Sequence, residues 1–190
     1  MKSCCQSGVC ADKIEYLWIN LENQGPTAAG IHPPTLEHWL NVVDEAASLG
    51  AKWLAITLRG ALAELPEVVE VAKWAQQGHG MTVAIHTPAR DLSVADLAAL
   101  KQLDLSRVRL CVSEAALGQM KAYEGQGVKV RLAEAPGDTH GCGMPQNMLF
   151  VNGQGQIYTC GRVKGNDAFH MGNIYNLSLI HISEPTRPER

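Results

Sequence analysis

Two cysteines late in the chain, Cys142 and Cys160, have a spacing that could bring their sulfur atoms together. Residues 147–151 and 156–160 alternate as β-strands do, and the turn-forming run Asn-Gly-Gln-Gly lies between them. This pattern predicts a β-hairpin over Asn147–Cys160. Because Cys142 precedes the first strand and Cys160 ends the second, the hairpin would place two soft thiolate ligands at one end, which is half of a metal site.

Three more cysteines, Cys4, Cys5 and Cys10, lie in residues 1–12, which we expect to form a flexible arm because glycine and serine separate them. Three thiolates are enough to hold a metal cluster. Alternatives are an exposed redox arm, a zinc or copper site, and ligands that complete the site at the hairpin.

Two further residues within predicted strands could take part in chemistry. His86 ends an apolar strand and would face the side where active sites of β/α barrels form, so it is a candidate substrate contact together with Thr57, Arg59 and Thr87. A solvated histidine at a strand end is the alternative. Cys111 lies inside an apolar strand and is predicted to be a small buried side chain. The four tryptophans are at strand or helix positions that indicate packing in the core.

Composition and charge narrow the class of protein. The chain has 190 residues, of which 46% are hydrophobic and 18% charged, with a net charge of −3. This charge gives no reason to expect nucleic acid or a membrane surface as partner. The sequence has neither an apolar run of about 20 residues nor a secretory signal, so we expect a cytoplasmic protein. In that reducing compartment the six cysteines are metal ligands, redox groups or core residues. The oligomeric state does not follow from the sequence.

The elements that must position these residues alternate along the chain. Helices are predicted to begin near Thr35, Pro66, Ser93 and Glu114. Strands are predicted over residues 13–21, 52–58, 81–87, 107–112 and 128–133. Nearly continuous apolar strands separated by helices favour a parallel sheet covered by helices. We therefore expect an α/β domain over residues 13–135, a partial (β/α) barrel or an open sheet. The hairpin in residues 136–177 would be a separate antiparallel unit.

The order of strand, long loop, capped helix and two further β/α units resembles the core of radical SAM enzymes. The resemblance implies a [4Fe–4S] cluster and S-adenosyl-L-methionine as cofactors. That family has a CxxxCxxC motif in the loop after the first strand, whereas the corresponding residues 22–34 contain no cysteine. Its Gly-Gly-Glu-Pro run corresponds here to residues 58–61, where Gly60 matches. The resemblance thus implies cofactor binding by Arg59, Gly60 and His86.

The spacing C-x12-G-x4-C from Cys142 to Cys160, followed by Met-Gly-Asn-Ile, resembles the opening of the SPASM domain of such enzymes. This resemblance implies that Cys142 and Cys160 are cluster ligands, with Cys4, Cys5 and Cys10 as further candidates. It implies an iron–sulfur protein similar to radical SAM/SPASM enzymes. Such a protein would modify a peptide, a protein or a small molecule, or would be a catalytically degenerate relative. Whether the chain is an enzyme stays open, and the alternative is a non-catalytic α/β binding protein with a structural zinc or cysteine-based metal site.

Residues 178–190 resemble a translated sequencing adapter. We therefore expect that the natural protein continues beyond about Leu177. The four further cysteines of a SPASM domain would then lie in the part that follows.

Overall fold

A computed structural model describes residues 14–21, 33–58, 60–87, 93–112, 114, 120–132, 147–161 and 165–175. The strands are β1 (Tyr16–Asn20), β2 (Trp53–Thr57), β3 (Thr82–Thr87), β4 (Val108–Val112), β5 (Val130–Leu132), β6 (Met148–Asn152), β7 (Gln156–Tyr158) and β8 (His170–Asn173). The α-helices are α1 (Leu36–Ser48), α2 (Pro66–His79), α3 (Val94–Leu100) and α4 (Met120–Glu124). Short 3₁₀ helices span Leu62–Glu64, Leu105–Arg107 and Asp167–Phe169.

All eight strands form one sheet in the order β5-β4-β3-β2-β1-β6-β7-β8. Neighbours from β1 to β5 pair in parallel, which confirms the predicted order of the first five strands. Within the described residues the sheet is open, because β5 and β8 end it without pairing to each other. The predicted α/β class is confirmed, whereas closure into a barrel is not observed.

The predicted hairpin is present, since β6 and β7 pair antiparallel. The prediction that it forms a unit outside the main sheet is wrong, because β6 pairs in parallel with β1 over its whole length. The physical reason lies in Met148, Leu149, Phe150 and Val151, which are all buried. Such an apolar strand is shielded from water best away from a sheet edge, and here β1 and β7 pair along its two edges. The strand β8, which pairs with β7, was not predicted.

The helices begin and end where the local sequence favours it. The side chain of Thr35 caps α1 by accepting a hydrogen bond from the backbone N–H of His38. Pro66 occupies the first turn of α2, where its missing N–H costs nothing, and α2 ends at Gly80 with a φ of 64°. Ser93 and Asp96 form a reciprocal capping box at the start of α3.

The two faces of the sheet differ in what covers them. Side chains of one face, such as Leu17 and Ile56, are buried in a core shared with α1 and α2. Trp39 of α1 and Val68 of α2 line a small cavity together with Ile56 and Ile19 of this face. We call the opposite side the open face. No helix of the described part of the chain is both long and apolar enough to cross a bilayer.

Candidate binding site on the open face

The open face carries a cavity of about 370 Å³, which is within the range of small-molecule sites. Among the described residues, those that line it all lie on strands. The lining residues are Tyr16, Trp18, Trp53, Ala55, Ala84, His86, Arg109, Cys111, Arg131 and Met148. Side chains alternate between the two faces of a strand. The lining residues point to the open face, and the residues next to them in each strand point into the helix-covered core.

A line of polar side chains crosses the open face near the carboxyl ends of the parallel strands. The strand register aligns each member with the next one across the sheet. The members are Asn152, Asn20, Thr57, His86, Cys111 and Arg131, and we call them the polar row. Ligands of parallel α/β proteins bind at this end of the strands. The fold therefore gathers hydrogen-bonding groups, an imidazole, a thiol and a guanidinium where a ligand is expected.

Trp18 connects the polar row to the cavity. Its indole Nε1–H donates a hydrogen bond of 2.8 Å to the hydroxyl oxygen of Thr57, which fixes the orientation of the indole. The imidazole of His86 stacks on this indole with a centroid distance of 5.2 Å and an interplanar angle of 23°. Phe150 contacts the same indole edge-on at 6.2 Å. Trp18 and His86 thus form a flat, partly exposed surface on which a planar ring can stack.

Cys111 and Arg131 are register partners at the other end of the polar row. Burial raises the pKa of the Cys111 thiol, and the positive charge of Arg131 opposes this rise in part. The thiol is therefore protonated at neutral pH, since its ordinary pKa is 9.0. The prediction that Cys111 is a buried core residue is wrong: the side chain is half-buried and faces the cavity.

The loop after β2 is held near the polar row by a buried carboxylate. The 3₁₀ helix Leu62–Glu64 begins two residues after Gly60, and the backbone N–H of Ala63 donates a hydrogen bond of 2.8 Å to the carboxylate of Asp96. Asp96 also accepts from the backbone N–H and hydroxyl of Ser93, at 2.9 and 2.8 Å. The pKa of Asp96 is lowered overall: burial raises it, but the hydrogen bonds from Ala63 and Ser93 together outweigh burial. Asp96 therefore ties α3 to the segment that carries Gly60.

The structure separates the residues predicted from the sequence. His86 lies in the polar row, and half-buried Gly60 lies in the loop beyond Thr57. Cys160 follows the end of β7 and carries a half-buried thiol. The remaining candidates, Arg59, Cys142, Cys4, Cys5 and Cys10, lie outside the described residues. Their roles stay predictions.

Cys160 lies just beyond the end of β7. Tyr158, the last residue of β7, is the register partner of Phe150 on β6. A Cβ added at Gly161 would lie 2.9 Å from ring carbons of Phe150, so the chain after Cys160 packs against this ring. The structure thus places Cys160 next in sequence to a residue that contacts Phe150.

An iron–sulfur cluster needs several thiolate ligands close together. Among the described residues, no three side chains of His, Cys, Asp or Glu come close enough to hold one metal ion. Cys160 supplies a single thiol. The described residues thus do not by themselves form a cluster site.

The sequence analysis did not predict that tryptophans line the cavity. All four tryptophans were expected to pack in the core, but Trp18 and Trp53 line the cavity and Trp74 is 44% exposed. Only Trp39 is fully buried. Alternation within β1 and β2 puts Trp18 and Trp53 on the same face, which is a signal that could have found them.

Comparison with solved structures shows the fold that the site belongs to. The chain resembles the crystal structure of BtrN in complex with AdoMet and 2-DOIA, with a TM-score of 0.64 and 15% identity. This match covers 92% of the chain and 84% of BtrN. It also resembles SuiB of Streptococcus suis bound to S-adenosylmethionine, with a TM-score of 0.66 and 10% identity. Here the match covers 92% of the chain but 64% of SuiB.

The chain has the fold of these two proteins. The likeness supports the radical SAM-like fold predicted from the order of elements. No protein-family model and no curated protein matches the sequence.

Proposed function

We propose that this chain binds S-adenosylmethionine at the polar row. The observation that carries the proposal is the shared fold, over 92% of the chain, with two proteins whose crystal structures contain S-adenosylmethionine. The geometry agrees with the proposal, because the polar row lies at the carboxyl ends of the strands, where ligands of such sheets bind.

The chemistry of the polar row matches the parts of this ligand. The flat surface of Trp18 and His86 offers a stacking partner for the adenine ring. Asn20 and Thr57 are neighbours on adjacent strands and supply amide and hydroxyl groups for the polar atoms of the ligand. The loop at Gly60 closes this end of the sheet, and Asp96 fixes the position of that loop.

Titration of the full chain with S-adenosylmethionine by calorimetry tests the proposal. The variant Thr57→Val keeps the shape of the side chain but removes the hydroxyl that also holds the Trp18 indole in place. It should weaken binding by about tenfold or more, since both the hydrogen-bonding group and the orientation of the stacking surface are lost. Thr82→Val makes the same change at the amino end of β3 and should leave the affinity unchanged. Absence of binding by the parent chain, or equal effects of the two variants, would contradict the proposal.

We further propose that Cys142 and Cys160 are ligands of an iron–sulfur cluster, as the SPASM resemblance implies. The thiol of Cys160 is half-buried just beyond the end of β7, which supports a structural rather than a solvent-exposed role for it. Anaerobic reconstitution followed by iron and sulfide analysis tests this assignment. Cys142→Ala and Cys160→Ala should each lower the iron content, whereas Cys111→Ala should not. Unchanged iron in both variants would remove the pair from the site, and zinc in place of iron would favour the structural alternative.

A further inference from the structure

Positive charge is concentrated on one side of the cavity. Arg109 and Arg131 line it, and no acidic side chain of the described residues does. The guanidinium of Arg109 is fixed, because its Nη1 donates to the backbone carbonyls of Ser106 and Val108 at 3.1 and 2.9 Å. Among the described residues neither arginine forms an ion pair, whereas Arg107 pairs with an aspartate. Two neighbouring cations, half-buried Arg109 and exposed Arg131, favour an anion between them.

Flat aromatic groups and small side chains form the rest of the cavity. Tyr16 and Trp53 stack on each other with a centroid distance of 6.0 Å and an interplanar angle of 18°. Beside them, β2 and β3 present Ala55 and Ala84, which are register partners. The methyl groups leave space above the sheet that larger side chains would fill. Trp18 limits this space on the side of the polar row.

We propose that this cavity binds the second ligand of the protein, a planar small molecule with a carboxylate or phosphate group held by Arg109 and Arg131. This inference rests on the proposed function, since it assigns the substrate class of the same open face. Arg109 lies two residues before Cys111 on β4, so it is about 7 Å from the polar row toward the amino ends of the strands. The two ligands would therefore lie side by side. S-adenosylmethionine would occupy the part of the polar row on β1 to β3, and the anionic group would lie between Arg109 and Arg131, which ends the row on β5.

A matched pair of probes tests the charge requirement on the full chain. Indole-3-carboxylate and its neutral amide, indole-3-carboxamide, have nearly the same shape and differ in charge. The carboxylate should bind about tenfold more tightly or better, the range for a charge-assisted hydrogen bond pair. Arg131→Gln, at an exposed position, should abolish most of this preference without affecting folding. Arg109→Gln should do the same, with circular dichroism as a check on its fold. Arg107→Gln, which removes an exposed arginine outside the cavity, is the control and should keep the preference.

The outcomes separate this inference from the proposed function. Equal affinity of the two probes, or a preference that survives in Arg131→Gln, overturns the anion site even if S-adenosylmethionine binds. Displacement of the carboxylate by S-adenosylmethionine overturns the assignment of a second ligand. A short acidic peptide without aromatic residues that binds as tightly as the carboxylate overturns the planar small molecule. Preference for the carboxylate in a chain that does not bind S-adenosylmethionine supports the anion site and contradicts the proposed function alone.

Discussion

Replacing Asp96 by alanine should destabilise the fold at the loop that closes the polar row. The side chain is 1% exposed and accepts three hydrogen bonds, two from Ser93 and one from the backbone N–H of Ala63. In the variant, two part-buried backbone N–H groups lose their acceptor, each at a cost of about 1–3 kcal/mol. We expect a loss of about 3 kcal/mol in the free energy of unfolding, since water reaches part of the vacated space.

Urea unfolding followed by circular dichroism measures this loss. With a slope of about 2 kcal/mol per molar urea, the midpoint should fall by about 1.5 M. Asp104→Ala is the matched control, because Asp104 accepts the same pair of hydrogen bonds from a serine at an exposed site, and its midpoint should fall less. A midpoint for Asp96→Ala equal to that of the parent or of the control would refute the argument.

The same variant has a defined pH dependence. The pKa of Asp96 is lowered in the folded state from its ordinary value of 3.8. Its contribution to stability is therefore fully present above this value and is lost as the pH falls through the lower, folded-state pKa. The difference in midpoint between parent and Asp96→Ala should be constant near neutral pH and should shrink below about pH 4.

Two further predictions concern packing and the cavity thiol. Gly161→Ala should lower the free energy of unfolding by about 1–3 kcal/mol, because the added Cβ would lie 2.9 Å from ring carbons of Phe150. Gly78→Ala in α2 should instead raise it by about 0.5–1 kcal/mol, because the added Cβ would meet only the Trp74 ring, at an ordinary contact distance of 3.9 Å. The urea midpoint of each variant measures its effect. A lower midpoint for Gly78→Ala together with an unchanged midpoint for Gly161→Ala would contradict these predictions. Cys111 should react with iodoacetamide at pH 8 more slowly than a peptide thiol, and more slowly still in Arg131→Gln, since the pKa then rises further. Mass spectrometry of the Cys111 peptide gives the rates, and a faster reaction in the variant would contradict the assigned effect of Arg131.

Much of the fold follows from local sequence patterns. The strands β1 to β5 and helices α1 to α3 were predicted because apolar runs, capping residues such as Thr35 and Ser93, and Pro66 act within a few residues of their own position. The placement of β6 beside β1 was not predicted. The two strands are far apart in sequence, and the pattern of Met148–Asn152 does not specify which strand it pairs with.

The candidate site was predicted only where strand ends indicate it. His86 was found because it ends an apolar strand, while Trp18, Arg109 and Cys111 were not recognised as cavity residues. Because helices were expected to cover the sheet, residues in the interior of the strands were assigned to the core. The described part of the structure instead exposes alternate residues on the open face. Which face of a strand is covered depends on contacts between distant elements, and a single sequence carries no direct record of these.

The four tryptophan indoles provide the most direct test of the central claim, that S-adenosylmethionine binds on the open face. Trp18 and Trp53 line the cavity there. Trp39 of α1 is buried in the core on the other side of the sheet, and Trp74 lies on the outer surface of α2. Nitrogen-15 labelling of tryptophan gives one Nε1–H signal for each indole, assigned by single Trp→Phe variants. Titration with S-adenosylmethionine should shift the Trp18 signal most and leave those of Trp39 and Trp74 in place. Saturable shifts of Trp39 or Trp74 with an unchanged Trp18 signal, or no shift at all, would contradict the claim.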